Sequence, residues 1–241
     1  MEITSLKDQG KNQIIRKGGS PESNLDFLYN QNGNCDINIR KKEIEEYIDL
    51  SMKIEGKEKE TFENSKPKNQ KSKQFMKSYQ NYCKNFGTIM EKGLGIAMSG
   101  NAGTGKTYYS SCIENELKNK YKVYRLSLSH YLNLIREDFK EMQQLKLVKE
   151  AELIIIEDFG NEYLTEWGKE KVVNLLFEIY NNRISLVFST NLDFKTQLRS
   201  FLDVKGSDKL LDRIKERCKP YAFDWESERA DIHKEDFEKY Y

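Results

Sequence analysis

Short apolar runs alternate with amphipathic stretches through the second half of this chain. Largely apolar runs of four to five residues, typical of buried strands, occur at 95–98, 122–126, 153–156 and 186–189. Apolar residues recur at helical spacing over 107–117, 131–142, 165–180 and 208–218. This alternation predicts an α/β fold, with a parallel sheet flanked by helices. Because ligands bind at the carboxyl ends of the strands in such sheets, we expect functional residues just after each strand.

The first third of the chain has a different pattern. Residues 1–40 are rich in Asn, Gln, Gly and Ser and predict little fixed structure, whereas 40–54 has the spacing of one amphipathic helix. We interpret the polar run 56–73 as a solvated linker, in preference to a segment whose lysines contact phosphates. The helix that follows has an aromatic stripe that we expect in the core, at Phe75, Met76, Tyr79, Tyr82 and Phe86. The sequence therefore predicts a small, mostly helical or partly disordered partner-binding region over 1–73 and an α/β domain over 74–241.

A complete phosphate-binding pattern, G-x-x-x-x-G-K-[ST], lies between the first of these strands and its helix. A polyphosphate needs converging backbone N–H donors, a helix N-terminus and a cation that can reach it. Lys106 can reach the β- and γ-phosphates, so we expect it to be exposed, and the Thr107 hydroxyl can bind Mg²⁺. We predict that the whole loop binds a nucleotide, through Gly100, Asn101, Ala102, Gly103, Thr104, Gly105, Lys106 and Thr107.

Polar residues follow the third and fourth strands. Phosphoryl transfer to water needs one acidic group to hold Mg²⁺ and another to orient the water, and the adjacent Glu157 and Asp158 can divide these roles. The Asn191 amide can hydrogen-bond both the water and the γ-phosphate. Arg213 and Arg217 lie on the helix over 208–218, and an arginine can stabilise transition-state charge, including on a nucleotide held by a neighbouring subunit.

Together these motifs resemble those of the AAA+ ATPases of the bacterial helicase-loader family. That family includes the DnaC and DnaI type loaders and the IstB-like transposition helpers. The resemblance covers roughly Phe75 to Arg229 and rests on the order of motifs at 100–107, 153–160, 165–167, 189–191, 212–214 and 223–229. It implies an AAA+ P-loop fold with ATP and Mg²⁺ as cofactors.

The resemblance also implies residue roles. Gly100 to Thr107 is Walker A, and the Walker B pair places Glu157 with Thr107 at the metal and Asp158 at the attacking water. The other catalytic positions are Asn191 for sensor 1, Arg213 for the arginine finger and Arg229 for sensor 2. The family usually has Asp first in the Walker B pair, whereas this chain has Glu157 and then Asp158. This exchange bears on the hydrolysis rate and leaves nucleotide binding as expected. Because Arg213 would act on the nucleotide of a neighbour, we expect slow hydrolysis by a lone subunit, stimulated by assembly or by DNA.

Composition adds little about partners. The 241 residues include 40 Lys and Arg against 39 Asp and Glu, and a net charge of +1 does not indicate a polyanionic partner. No apolar run approaches the roughly 20 residues that cross a bilayer, and the first residues lack a signal-peptide core, so we expect a cytoplasmic protein without a membrane partner. The cysteines lack metal-ligand spacing and predict reduced thiols. The abundance of Lys, Asn and Ile suggests a low-GC bacterium or its phage.

The resemblance implies an ATP-dependent loader that places a hexameric replicative helicase on single-stranded DNA during DNA replication. ATP·Mg²⁺ binding and hydrolysis would gate helicase binding and release, and subunits would associate through the arginine-finger interface. Residues 1–73 would hold the helicase as in the DnaC type, because the cysteines offer no DnaI-type metal site. Two alternatives stay open: an IstB-like transposition helper ATPase, and a nucleotide-gated helicase-binding adaptor with little hydrolysis.

Overall fold

A parallel five-stranded sheet forms the centre of the computed structural model. Its strands are β1 (Gly95–Gly100), β2 (Val123–Leu126), β3 (Leu153–Ile156), β4 (Ser185–Thr190) and β5 (Cys218–Phe223), in the order β2-β3-β4-β1-β5. The structure describes residues 37–51, 56–136, 138–160, 164–193, 201, 207–229 and 234–240. The predictions for residues 1–36 lie outside this part. The α/β fold and the four strands predicted from the apolar runs are confirmed.

Helices cover both faces of the sheet. The helices of the described part of the chain are α1 (Ile37–Leu50), α2 (Gln70–Lys84), α3 (Phe86–Glu91), α4 (Lys106–Leu117), α5 (Leu128–Ile135), α6 (Asp138–Glu150), α7 (Glu166–Asn181), α8 (Ser207–Arg217) and α9 (Lys234–Tyr240). Along β3, Ile154 and Ile156 belong to one core cluster, whereas Leu153 and Ile155 belong to the other. Because successive side chains of a strand point to opposite faces, both faces of the sheet are buried. Within the described residues, no helix is long and apolar enough to cross a membrane.

The aromatic stripe predicted for the core is buried at its centre. Tyr79, Tyr82 and Phe86 pack in one cluster with Ile96 and Met98 of β1. The cysteines of the described part are buried free thiols, as the sequence predicts, at Cys83, Cys112 and Cys218. The stripe therefore fixes α2 and α3 against the strand that leads into the phosphate loop.

Two predicted boundaries are wrong. The helix predicted over 131–142 is in fact two helices, since α5 ends at Ile135 and α6 begins at Asp138. Met142, which the pattern placed on the buried face, is 81% exposed. The predicted helix over 208–218 ends one residue early, and β5 follows it directly. The sequence interpretation missed β5 because Pro220 interrupts its apolar alternation, which is tolerated here because β5 lies at the edge of the sheet.

The interpretation of 56–73 as a solvated linker is also wrong. Residues 56–69, which we call the strap, pack against α4, and Phe62 is only 8% exposed. The Asn115 side-chain amide donates to the carbonyl oxygens of Lys57 (2.8 Å) and Glu60 (2.9 Å). The Tyr108 hydroxyl donates to the Thr61 carbonyl oxygen at 3.1 Å. The division of function at residue 73 remains a prediction, but the strap itself is part of the packed domain.

Helix α1 packs on the edge of the sheet. Tyr47 is buried and its hydroxyl donates to the Leu147 carbonyl oxygen at 2.8 Å. The Ser51 hydroxyl donates to the Val123 carbonyl oxygen (3.1 Å) and accepts from the Arg125 N–H (2.9 Å), which satisfies two polar groups at the open edge of β2. By its internal contacts the chain divides after Ile37, so this helix belongs to the same unit as the sheet.

Candidate nucleotide-binding site

The phosphate loop connects β1 to α4, and its glycines are required by close contacts. Gly100 (φ 139°) and Gly103 (φ 79°) both adopt backbone conformations that disfavour a side chain. A Cβ on Gly100 would lie 2.1 Å from the Phe223 carbonyl oxygen, and one on Gly103 would lie 2.0 Å from Ser227 Oγ. The loop therefore packs directly on β5 and on the segment that follows it.

Lys106 is the centre of the site and is buried. Its ammonium donates to the carbonyl oxygens of Gly100 (2.8 Å) and Asn101 (2.7 Å) and to Asn191 Oδ1 (2.8 Å). The expectation that Lys106 is exposed is wrong, since these three acceptors hold the residue at 6% exposure. Burial lowers the pKa of Lys106, the Asp158 carboxylate opposes this shift, and the nearby Arg229 guanidinium adds to it.

The loop after β3 is fixed by the end of β4. Asp158 has a left-handed backbone (φ 51°), and its N–H donates to Ser189 Oγ at 3.1 Å. The Phe159 N–H donates to the Ser189 carbonyl oxygen (2.8 Å), and the Thr190 hydroxyl donates to the Phe159 carbonyl oxygen (2.6 Å). These bonds bring Asp158 and Asn191 to the same cavity as Lys106. The sequence interpretation gave Ser189 no separate role, although it directly precedes Thr190 and Asn191.

Glu157 is engaged by two side chains. Its Oε1 lies 2.6 Å from Arg125 Nη1 and accepts a hydrogen bond from the Ser110 hydroxyl. Arg125 Nη2 is also 2.7 Å from Oε2 of Glu114. Burial lowers the pKa of Arg125, but the two carboxylates outweigh it and raise the pKa, so the guanidinium stays charged. The sequence interpretation missed Arg125 and Glu114, although a lone arginine within a buried strand was a visible signal.

The segment that follows β5, residues 224–229, contacts the phosphate loop. The Glu228 N–H donates to the Gly103 carbonyl oxygen at 2.8 Å, and Arg229 lines the cavity with its N–H bonded to Ser227 Oγ at 3.3 Å. The structure thus brings Arg229, predicted as sensor 2, to the phosphate loop.

A cavity of about 580 Å³ connects these groups. The strap forms one wall of it, and its lining residues there include Lys57, Glu60, Asn64 and Lys66. Because Asn115 and Tyr108 of α4 hold the strap, the wall and the phosphate loop are fixed to the same helix. The sequence interpretation preferred a solvated linker over lysines that contact phosphates, because it overlooked Phe62, which holds this wall in place.

Arg213 is not brought to this cavity. Its guanidinium lies over the rings of Tyr180 (4.7 Å to the centroid) and Phe177 (5.3 Å), both on α7. Arg217 also lies over Tyr180, at 3.7 Å, and donates to the Tyr180 carbonyl oxygen. Among the described residues, the lining of the cavity does not include either arginine.

The donor set next to the phosphate loop fits Mg²⁺ bound together with a nucleotide. Thr107, Glu157 and Asp158 offer only oxygen atoms, which Mg²⁺ prefers, and Mg²⁺ in nucleotide sites is usually held by one or two carboxylates plus phosphate oxygens. In the part of the chain that the structure describes, no group of three or more His, Cys, Asp or Glu side chains could hold a metal by itself. The site therefore suits a metal that arrives with phosphates.

Comparisons with known proteins bear on the fold and the family of this chain. The chain is 23% identical over 150 residues to the replicative helicase loader DnaI of Bacillus subtilis (strain 168), a match that covers 57% of this chain and about half (48%) of that relative. A crystal structure of the DnaC helicase loader matches with a TM-score of 0.60 at 20% identity, covering 70% of this chain and 99% of that one. A crystal structure of DnaI matches with a TM-score of 0.62 at 16% identity, covering 76% and 99%.

The replication initiator DnaA, in a structure with AMPPCP and single-stranded DNA, matches with a TM-score of 0.56 at 19% identity, covering 75% of this chain and 55% of that one. At these identities the solved structures show the fold, which is that of the AAA+ P-loop ATPases. The family model of the IstB-like ATP-binding proteins matches residues 70–235, more than half of the chain. The chain therefore belongs to the family of IstB-like ATP-binding proteins.

Proposed function

We propose that this protein is an ATPase that loads a hexameric replicative helicase onto single-stranded DNA. The observation that carries the proposal is the convergence of Lys106, Asp158, Asn191 and Arg229 on one cavity beside a phosphate loop. Membership of an ATP-binding family supports nucleotide binding, and the DnaI relative, itself named a replicative helicase loader, supports the helicase as partner. A cytoplasmic location and a phage origin stay predictions.

In this proposal the residues of the site act on ATP at defined points. The Lys106 ammonium exchanges the Gly100 and Asn101 carbonyl oxygens for phosphate oxygens and keeps Asn191 as a partner. Thr107 and Glu157 would hold Mg²⁺, which would offset the charge of the phosphates. Asp158 orients the attacking water, because Ser189 fixes its backbone at the cavity. Hydrolysis then releases the helicase.

Single-stranded DNA and a neighbouring subunit are further partners in the proposal. The DnaA structure is described as bound to AMPPCP and single-stranded DNA, which supports the DNA ligand by fold analogy. Arg213 is proposed to act on the nucleotide of a neighbour, which requires that it leave the Tyr180 ring on assembly. Mixing two inactive variants, Arg213→Ala and Lys106→Ala, tests this step. Restored ATPase activity supports a shared site, whereas a mixture that stays inactive under conditions where the wild type assembles removes Arg213 from catalysis.

Copurification tests the main proposal. The full chain, tagged and expressed in its native host, should retain the replicative helicase, and ATP should change the amount retained. A transposase recovered in place of the helicase would instead support the IstB-like transposition helper, the alternative that the family name favours. Recovery of neither protein, with a chain that binds ATP, contradicts both assignments.

A nucleotide-gated adaptor with little hydrolysis is the second candidate. It is favoured by the engagement of Glu157 Oε1 with Arg125 and Ser110, together with the short side chain of Asp158 at the water position. Single-turnover hydrolysis separates it from the loader. If helicase binding depends on ATP while no phosphate is released in the assembled complex, the adaptor is correct.

A further inference from the structure

Glu114, Arg125 and Glu157 form a buried ionic cluster that we call the triad. The Arg125 side chain is 1% exposed, and those of Glu114 and Glu157 are 16% and 8% exposed. The planar guanidinium of Arg125 contacts both carboxylates. Its Nη1 lies 2.6 Å from Glu157 Oε1, whereas its Nη2 and Nε lie 2.7 Å and 2.8 Å from Glu114 Oε2. The triad connects α4, β2 and the residue that directly follows β3.

The triad carries one more negative charge than positive. Two carboxylates share one guanidinium, and burial of an unmatched charge is costly unless another cation approaches. The Lys106 ammonium is bound to Asn191 and to two loop carbonyl oxygens, and the charge that attracts it is that of Asp158. Glu114 lies seven residues after Thr107 on the same face of α4, which is two turns or roughly 10 Å, so it reaches the metal end of the helix through Arg125 and Glu157 and not by direct contact.

We propose that Glu114 is a positioning residue that sets the affinity of the site for Mg²⁺. Glu114 forms an ion pair with the Arg125 guanidinium, so the positive charge of Arg125 is shared between two carboxylates and does not fully neutralise Glu157. The remaining negative charge on Glu157 then attracts the metal. The inference rests on the proposed function, in which Glu157 serves Mg²⁺·ATP. It also explains how Glu157 can serve a metal although Arg125 and Ser110 both hold its Oε1.

The test measures binding of the fluorescent analogue mant-ATP to the full-length chain at increasing Mg²⁺ concentration. In Glu114→Gln the triad becomes neutral, and we expect the Mg²⁺ concentration for half-maximal enhancement of binding to rise about tenfold, by the loss of one unit charge that attracts a divalent ion. Affinity in EDTA should not change. The matched control is Glu116→Gln, which removes the same charge from an exposed position of α4 and should behave as wild type.

A second variant restores the net charge of −1 at the triad although Glu114 and Arg125 are both replaced. Glu114→Gln with Arg125→Met leaves Glu157 alone with one negative charge, and the Mg²⁺ requirement should return to within about threefold of wild type. If this variant does not fold, Glu114→Gln against Glu116→Gln decides. A lower melting temperature in Glu114→Gln with an unchanged Mg²⁺ requirement would mean that the triad is structural only, and the inference is overturned. If the wild type itself does not bind mant-ATP, the proposed function fails instead.

Discussion

The phosphate loop and the strap line the same cavity, yet different interactions hold them in place. The loop between Gly100 and Thr107 is held by its own backbone, by positive φ angles and by close packing on β5. The strap is held by one buried ring, Phe62, and by side chains that α4 sends to it. Substitutions in the loop should therefore change ligand binding, whereas those in the strap should first change stability.

The largest expected effect is a loss of nucleotide affinity after substitution in the phosphate loop. Lys106→Ala should weaken mant-ATP binding about 1000-fold, roughly 4 kcal/mol, because it removes the ammonium that the loop carbonyl oxygens of Gly100 and Asn101 hold at the phosphate loop. Unfolding in urea should change little, since the variant also removes a buried ammonium. The control is Lys59→Ala on the strap, an exposed lysine that should leave affinity within about threefold. Equal losses in both variants would mean that the cavity attracts ATP by general charge alone.

The next largest expected effect is a loss of stability after substitution in the strap. Phe62→Ala should lower the free energy of unfolding by about 3 kcal/mol, because it removes a buried ring from the cluster that contains Tyr109 and Cys112. Phe237→Ala on α9 removes the same ring from an exposed position and should change stability by less than about 0.5 kcal/mol. Urea unfolding of both variants measures the difference. A freely solvated linker would give two equal and small values.

These two segments also show what can be predicted from sequence. The loop could be predicted because its function needs particular residues at fixed spacing. Four strands could be predicted because each contains a short, largely apolar run, such as Leu153 to Ile156. In the strap and the triad, Phe62 and Arg125 are visible as single residues, but their partners are distant in sequence and could not be predicted. Arg125 pairs with Glu157 across 32 positions, and Asn115 bonds Lys57 across 58. No local pattern identifies such pairs.

Asn115 tests the connection between the two walls. Asn115→Asp removes two donors and sets a carboxylate against the carbonyl oxygens of Lys57 and Glu60, so we expect a loss of about 2 kcal/mol in the free energy of unfolding. Because α4 also begins at Lys106, ATP affinity should fall by a smaller factor, about threefold. Asn119→Asp, at an exposed position beyond the end of α4, is the control. A loss of affinity equal to the loss of stability would show that the strap contacts the ligand directly.

Ser189 provides the smallest effect and the sharpest separation of positioning from binding. Its hydroxyl accepts the N–H of Asp158, which stands in a left-handed conformation that costs roughly 1 kcal/mol or more for a residue with a side chain. Ser189→Ala removes this acceptor, so stability should fall by about 1 kcal/mol. The hydrolysis rate should fall about tenfold while mant-ATP affinity is unchanged, because Asp158 then samples other positions and Lys106 keeps its contacts.

Ser189→Thr retains a hydroxyl and should recover most of the rate, whereas Ser129→Ala, at an exposed site on α5, should alter neither quantity. If Ser189→Ala loses affinity in proportion to its rate, β4 supports the whole cavity and does not act on Asp158 in particular.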